Sequence, residues 1–329
     1  MIVTQTPLRV SFAGGGTDLA AYYEAREGFV VSTAIDKYAY VIVKERFDDD
    51  VYLNYMRKEI VSSVDAIQHG LIREAMRIAG VESGVEVTLL SDIPSEGSGL
   101  GSSSSFSVGL LNAFHAYRGE QVTAEQLAQE ACEIEIARLG KPIGKQDQYI
   151  AAYGGLRAFR FRRDGSVLVR ALPLSAGDLR AVSGRLHLFF TGRTRRADAI
   201  LSEQRERTRD RSAELDGIKA LALRLEESLG ARDFEGLGAV LHENWELKRR
   251  LAAGISDPEL EAMYALARAH GARGGKICGA GGGGFLLVDC PPEDAPRLGK
   301  GMAGHRELPF LLERDGSKVI FNYRREVLR

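Results

Sequence analysis

The chain is 329 residues long but has only three cysteines, one tryptophan and nine prolines. Cys132, Cys278 and Cys290 are too few, too widely spaced and odd in number for a disulfide framework, and none has the spacing of a metal-binding pair. A reducing compartment is the expectation. Long apolar runs are also missing: none reaches the roughly 18 residues of a membrane span, and Met1 to Phe12 is broken by Gln5, Pro7 and Arg9 where a secretory signal needs an unbroken apolar stretch. The chain is therefore read as cytoplasmic, with no membrane partner. Charge of one sign is absent too. The 44 Lys+Arg against 45 Asp+Glu leave −1, so no overall field gathers nucleic acid or an anionic surface. Any anionic ligand must be held locally. With 44% hydrophobic and 27% charged residues the composition is that of a globular protein, which excludes disorder. The length is about twice the usual domain, so one large or two medium domains are expected.

What is present in quantity is glycine, 37 residues, much of it clustered. Thr6 to Phe12 alternates as a half-buried strand does and runs into Gly14-Gly15-Gly16. Val30 to Ser32, Tyr38 to Lys44 and Val85 to Leu90 read as further strands. Amphipathic spacing predicts helices over Ser62 to Ala79, from Phe106 to Gly119, and over Thr123 to Leu139 with Thr123 as N-cap. Leu156 to Arg162 and Val167 to Pro173 read as a hairpin around Asp164-Gly165. A strand over Leu186 to Thr191 then leads to a long helical region, Asp198 to about Leu229. Asp257-Pro258 opens a helix that Gly271 closes. Lys276 to Gly284 reads as a glycine-rich loop feeding a strand at Phe285 to Val288, and Val319 to Tyr323 as a last strand. The composition loosens near 173 to 184, which divides the chain into domains 1–175 and 176–329 of α+β class.

Four elements carry chemistry. Pro94 to Ser105, with Gly97, Gly99, Leu100, Gly101, Ser102, Ser103 and Ser104, lies between a strand and a helix. Glycines admit close phosphate approach, the helix N-terminus offers unpaired N–H groups, and serines add donors or a magnesium ligand. It is not a Walker A loop, because no G-x-x-x-x-G-K-[ST] string occurs. Gly279 to Gly284 matches G-x-G-x-x-G but precedes a strand, the wrong context for a dinucleotide fold. In Gly144-Lys145-Gln146-Asp147-Gln148 a carboxylate flanked by amides reads either as a base acting on a hydroxyl or as an Asx-type turn. Glu133 and Glu135, two apart on one helix, cannot both face inward. Arg9 precedes Gly14-Gly15-Gly16-Thr17-Asp18 and points away from Leu8 and Val10, toward a ligand or a surface ion pair.

In this order the elements resemble the GHMP small-molecule kinases. Thr6 to Asp18 is similar to their first motif, Pro94 to Ser105 to the phosphate loop, and Gly279 to Phe285 to the C-terminal glycine motif. Within the superfamily, Gly14-Gly15-Gly16-Thr17-Asp18, Lys145 to Tyr149 and Thr191-Gly192-Arg193-Thr194-Arg195 are most similar to the D-glycero-D-manno-heptose 7-phosphate kinases. The resemblance implies an N-terminal domain like ribosomal protein S5 domain 2 and a ferredoxin-like C-terminal domain, with the active site between them. It implies MgATP-dependent phosphorylation of the anomeric hydroxyl of a heptose 7-phosphate, feeding nucleotide-activated heptose for surface polysaccharide. The alternatives are a fucose- or galactose-like acceptor, or an inactive paralogue that binds nucleotide or sugar. A homodimer is compatible with it. By position, Asp147 is then the base and Arg9 the cation at the transferring phosphoryl. Ser103 and Glu135 are the magnesium ligands, with Glu133 as fallback. Gly16, Thr17, Asp18 and Lys145 face the sugar, and Arg193 and Arg195 hold the acceptor's phosphate. His242 and His270 read as structural rather than metal-binding, and the Arg205 to Arg211 stretch, interspersed with Glu203, Glu206, Asp210 and Glu214, as a solvated helix face rather than a nucleic-acid surface.

Overall fold

The computed structural model describes residues 1–93, 97–194 and 198–323. Its first half contains β1 (Ile2–Ala13), α1 (Ala20–Arg26), β2 (Gly28–Glu45), β3 (Val51–Asn54), β4 (Lys58–Val61), α2 (Gly70–Ala79) and β5 (Val85–Ser91). Then come α3 (Ser102–Arg118), α4 (Ala124–Cys132), α5 (Gln146–Tyr153), β6 (Leu156–Phe161) and β7 (Val167–Ala171). The second half contains α6 (Ala176–Ser183), β8 (Leu186–Phe190), α7 (Asp198–Glu206), α8 (Ser212–Gly230) and α9 (Leu237–Lys248). It ends with α10 (Pro258–Ala269), β9 (Gly274–Ile277), β10 (Phe285–Asp289), α11 (Ala295–Gly301) and β11 (Lys318–Asn322).

The two strands expected at 30–32 and 38–44 are one, β2, whose first half pairs with β6 and second half with β5. The main sheet runs β11-β1-β2-β5-β3-β4, with β6 and β7 branching from β2. Among the described residues only β3 and β5 pair in parallel; the other pairs are antiparallel. On one face, Val30, Ala34, Val41 and Val43 pack with α2, α3 and α5. On the other, Leu8, Val10, Phe12 and Val31 pack with Leu221 and Leu225 of α8 and Leu237 and Leu241 of α9. Because both faces are covered, Arg9 and Ser11 are buried although they alternate with apolar residues as exposed positions would.

The second sheet has the order β8-β10-β9, antiparallel throughout. An antiparallel bridge from Phe189 to Glu307 adds a vestigial outer strand beside β8. The result is the strand order and pairing of a ferredoxin-like sheet. The last strand, β11, returns to the first sheet and pairs with β1.

Several sequence expectations give way to local packing. The helix expected over 62–79 is α2 alone, preceded by a single 3-10 turn at Val64–Ala66. Ile67 between them is extended and buried, its carbonyl taking Arg73 Nη1 at 2.9 Å. The loose segment 173–184 is α6, started by a capping box between Ser175 and Asp178. The long helix from 198 is two helices, and Lys276 lies in β9 rather than in the loop. The caps at Thr123 and Asp257 hold, each side chain accepting a backbone N–H.

Helix α3 starts at Ser102, four residues before its expected beginning, with Gly101 in left-handed conformation ahead of it. It crosses β1 and β2 closely at Gly109, whose carbonyl accepts from Thr4 Oγ1 at 2.9 Å. A Cβ there would meet Thr6 Oγ1 at 2.8 Å and Val41 Cγ2 at 3.3 Å. Gly109→Val should therefore lower the free energy of unfolding in urea by about 1–3 kcal/mol, the usual cost of overpacking a core. A variant as stable as the wild type would mean that α3 is free to move off the sheet.

Candidate active site

The end of β1, the N-terminus of α3, the first turn of α5 and the loop between β9 and β10 enclose a cleft of about 380 Å³. The two glycine-rich loops meet backbone to backbone. A Cβ on Gly99 would lie 2.7 Å from the Cys278 carbonyl oxygen, and one on Gly279 would lie 2.6 Å from Gly99 Cα. Both glycines also have positive φ, +75° and +61°. The C-terminal loop is thus a support pressed against the phosphate-loop backbone.

Arg9 and Asp147 form the centre. Arg9 Nε and Nη2 donate to the two Asp147 carboxylate oxygens at 2.7 and 2.6 Å, and Nη1 donates to the Gly99 carbonyl at 2.6 Å. Burial opposes the guanidinium charge, but Asp147 outweighs it and holds Arg9 above its ordinary pKa. Asp147 is the second residue of α5, not part of an Asx-type turn. Asp18 lies nearby, accepting from the Gly16 and Gln146 backbone N–H groups at 2.9 and 3.2 Å. Burial, and then the charge of Asp147, raise the Asp18 pKa. Ser11 and Gln146 line this part of the cleft, and among the described residues Ser11 Oγ and Gln146 Oε1 are buried without a protein partner. They suit the hydroxyls of a polar ligand.

At the other end, Ser102, Ser103 and Ser104 line the cleft along the first turn of α3, where backbone N–H groups and the helix dipole favour an anion. Ser103 Oγ donates to Glu135 at 2.9 Å. Glu135 is fully buried, whereas Glu133 is exposed and paired with Arg138. A single π-helical turn, Glu133–Arg138, follows α4 and carries Glu135. The Lys141 ammonium already sits at the junction, 2.6 Å from Ser103 Oγ and 2.8 Å from Glu135. Among the described residues no cluster of three His, Cys, Asp or Glu is built for a metal. A hard ion held here would draw its other oxygens from phosphate and water, as Mg²⁺ does.

Four expected residues are elsewhere in role or position. Thr17 is wholly buried: its hydroxyl donates to the Gly14 and Phe29 carbonyls and accepts from Phe29 N–H, fastening the turn after β1. Lys145 Nζ donates to the Gly165 carbonyl and lies over the Tyr23 ring, outside the cleft lining. Leu100 is buried and its carbonyl accepts from Arg9 N–H, so it pins the loop to β1. Arg193 lies behind the C-terminal glycine loop, its guanidinium paired with Asp257 and Glu259. Pro94 and Arg195 lie outside the described residues. Gly16, Gly97, Gly99, Gly101 and Asp18 line the cleft.

The structure adds Lys141, Lys248, Lys276, Gln146 and Gln204 to the lining. Lys248 stands in a Lys-Arg-Arg run, and only the burial of its side chain separates it from Arg249 and Arg250.

The N- and C-terminal halves match the families described as GHMP kinases N terminal domain, over residues 63–155, and GHMP kinases C terminal, over residues 199–304. A D-glycero-alpha-D-manno-heptose 7-phosphate kinase of Campylobacter jejuni is 32% identical over 305 residues, covering 88% of this chain and 90% of the relative. An L-fucokinase/L-fucose-1-P guanylyltransferase of Bacteroides fragilis is 30% identical over 90% of this chain, which spans 35% of that longer protein. Among solved structures, a D-glycero-D-manno-heptose 1-phosphate kinase from Bacteriodes thetaiotaomicron superposes with a TM-score of 0.83 at 24% identity, over 98% of this chain and all of the other. That likeness is one of fold.

The buried lysines make the cleft pH-sensitive. Burial is the main cause that brings Lys276 from 10.5 down to about 8, with the Arg9 guanidinium adding to it. The unfolded chain thus binds more protons than the folded one between about 8 and 10.5, so stability rises with pH there, and the penalty is present in full below pH 8. Lys276→Met should be more stable than the wild type at pH 7, by up to about 3 kcal/mol, with the difference shrinking as pH rises toward 10. A pH-independent difference in urea midpoints would refute the depressed pKa of Lys276 in the folded protein.

Proposed function

The chain belongs to the GHMP kinases, and on that footing we propose that it transfers the terminal phosphoryl group of ATP to the anomeric hydroxyl of D-glycero-D-manno-heptose 7-phosphate. The observation that carries the reading is the buried fork between Arg9 and Asp147, set beside the N-terminus of α3. A Cβ added to Gly101, the residue before that helix, would come within 3.1 Å of Arg9 Cγ and 3.5 Å of Asp147 Oδ2. Phosphate-binding backbone and carboxylate are therefore one residue apart in space.

Phosphoryl transfer demands positioning and charge stabilisation more than covalent chemistry by the protein. The N–H groups of Ser102 to Ser104 cradle the donor's phosphates, with Gly97, Gly99 and Gly101 leaving room for them. Asp147 orients the acceptor hydroxyl and takes its proton as the new P–O bond forms. Arg9 holds that carboxylate in place and offers positive charge to the phosphoryl in transit. Asp18, Gln146 and Ser11 bind the sugar's other hydroxyls, with Gly16 giving it close access. Ser103 and Glu135 would hold Mg²⁺, replacing the Lys141 ammonium between them; the ion supplies neutralisation of phosphate charge. The division into 1–175 and 176–329, with β11 carried back to the first sheet, belongs to the same proposal. So does a cytoplasmic location, which suits three buried, unpaired cysteines. No helix among the described residues is long and apolar enough to cross a membrane.

Two measurements test this. ADP release should be fastest with heptose 7-phosphate in a magnesium-dependent assay across heptoses, fucose, galactose and their phosphates; preference for an unphosphorylated sugar would transfer the assignment to the fucokinase-like reading. Asp147→Asn should lower kcat by about 10²–10⁴ with ADP affinity nearly unchanged, and retention of most activity would remove Asp147 from the proton transfer.

A further inference from the structure

Lys248 ends α9 and Lys276 lies in β9, and their exposures are only 8% and 3%. Lys248 Nζ donates to the carbonyls of Ile277 and Gly279 at 2.9 and 2.5 Å, and Lys276 Nζ donates to the Phe12 carbonyl at 3.2 Å. An ammonium has three N–H bonds, so these contacts leave one donor on Lys248 and two on Lys276. Both side chains line the cleft. Among the described residues the charges that reach them are cationic, Lys276 and the Arg9 guanidinium acting on Lys248 and Arg9 on Lys276, while the neighbouring Cys278 thiol is kept protonated, and so uncharged, by burial. Among the described residues neither lysine has a carboxylate partner, and Asp147 is already committed to Arg9. A buried charge without a counter-ion destabilises a fold. Two of them, side by side and both open to a cleft, make sense when the missing counter-charge arrives with a ligand.

We propose that Lys248 and Lys276 form a second anion site in the cleft, separate from the N-terminus of α3, which takes the tetrahedral oxygens of a phosphate group. Two phosphates meet the description, the one an acceptor already carries and the terminal one of the donor. Which of them it is rests on the kinase reading above, whereas the existence of the site does not. The site also supplies what Arg193 does not, since Arg193 is engaged by Asp257 and Glu259 behind the glycine loop. Lysine suits a floor position, where a compact charge with rotatable donors can hold carbonyls below and phosphate oxygens above. A dianion would reverse the depression that burial imposes on both ammonium groups.

The test titrates inorganic phosphate into the wild-type enzyme by calorimetry with ADP saturating, so that the α3 terminus is filled. Lys248→Met and Lys276→Met should each raise the phosphate Kd at least tenfold while ADP affinity changes by less than about threefold. Phosphate binding indifferent to both substitutions overturns the proposal. Thermal melts report whether each variant is folded; should one not be, the glutamine variants carry the same comparison. In the wild type, phosphate must raise the melting temperature, and a melt that ignores phosphate counts equally against the site. Replacing ADP by a non-hydrolysable ATP analogue separates the sources. Exclusion of phosphate by the analogue assigns the site to the donor; phosphate retained then, but displaced by heptose 7-phosphate and not by free heptose, assigns it to the acceptor. Failure of the kinase reading would instead look like intact phosphate binding with no ADP release on any sugar.

Discussion

The fork between Arg9 and Asp147 is the constraint on which the cleft depends. It joins β1, the phosphate loop and α5, three segments separated by about 90 and 138 residues along the chain, through three side-chain bonds of 2.6 to 2.7 Å. The Arg9 backbone N–H adds a fourth tie, to the Leu100 carbonyl at 3.0 Å. Only a planar guanidinium can bind both carboxylate oxygens and still reach a carbonyl; a lysine in its place would hold one oxygen and lose the orientation. The Arg9 side chain is 6% exposed and that of Asp147 24%, so the pair is dry on one side and open to a ligand on the other. A buried pair of this kind adds little net stability, but removing one member leaves the other uncompensated, which makes it a device for geometry.

Around that fork the backbone is brought closer than side chains would permit. A Cβ on Gly144 would lie 2.0 Å from Asp18 Oδ2, and one on Gly284 would lie 2.3 Å from the Ser98 carbonyl oxygen. The glycine clusters thus do two different jobs. Gly101 lets the start of α3 lie against Arg9 and Asp147, and Gly99 with the glycines of 279–284 lets one loop brace another. Bracing matters because a phosphate loop binds through N–H directions, which a loop free to tilt would scatter.

The sequence made the local features plain and hid those set by tertiary packing. Gly-Ser clustering marked the loop before α3, since no ordinary helix start needs so many small residues. The hairpin at Gly165 and the caps at Thr123 and Asp257 were legible because their determinants lie within four residues. Helix α5 was not: it has eight residues, Gln148 is tied to Glu135 and Tyr149 and Tyr153 to Glu125, and none of these partners is near in sequence. The choice between Glu133 and Glu135 needed the π-helical turn. Thr17 was misread for a related reason, because its motif position is functional in appearance while its hydroxyl is spent on backbone. Nothing in Lys248-Arg249-Arg250 distinguishes the buried lysine from two arginines that meet carboxylates or solvent.

The cleft is built against its own stability. Burial pushes Asp18 toward its protonated form and pushes Lys248 and Lys276 toward their neutral forms, so without ligand each charge is opposed by its surroundings. Replacing such groups by apolar ones of similar volume commonly stabilises a protein, and their presence here therefore argues for work done on a ligand. A phosphate-bearing substrate supplies negative charge where two ammonium groups lack it, and sugar hydroxyls supply donors beside the Asp18 carboxylate, which Gln146 also meets. Binding then relieves an existing electrostatic strain, so substrate affinity and the pKa values of the cleft are one quantity seen from two sides. The same logic covers Lys141 between Ser103 and Glu135: the ammonium keeps the buried carboxylate neutralised until a better cation comes, so the glutamate need never be both buried and alone.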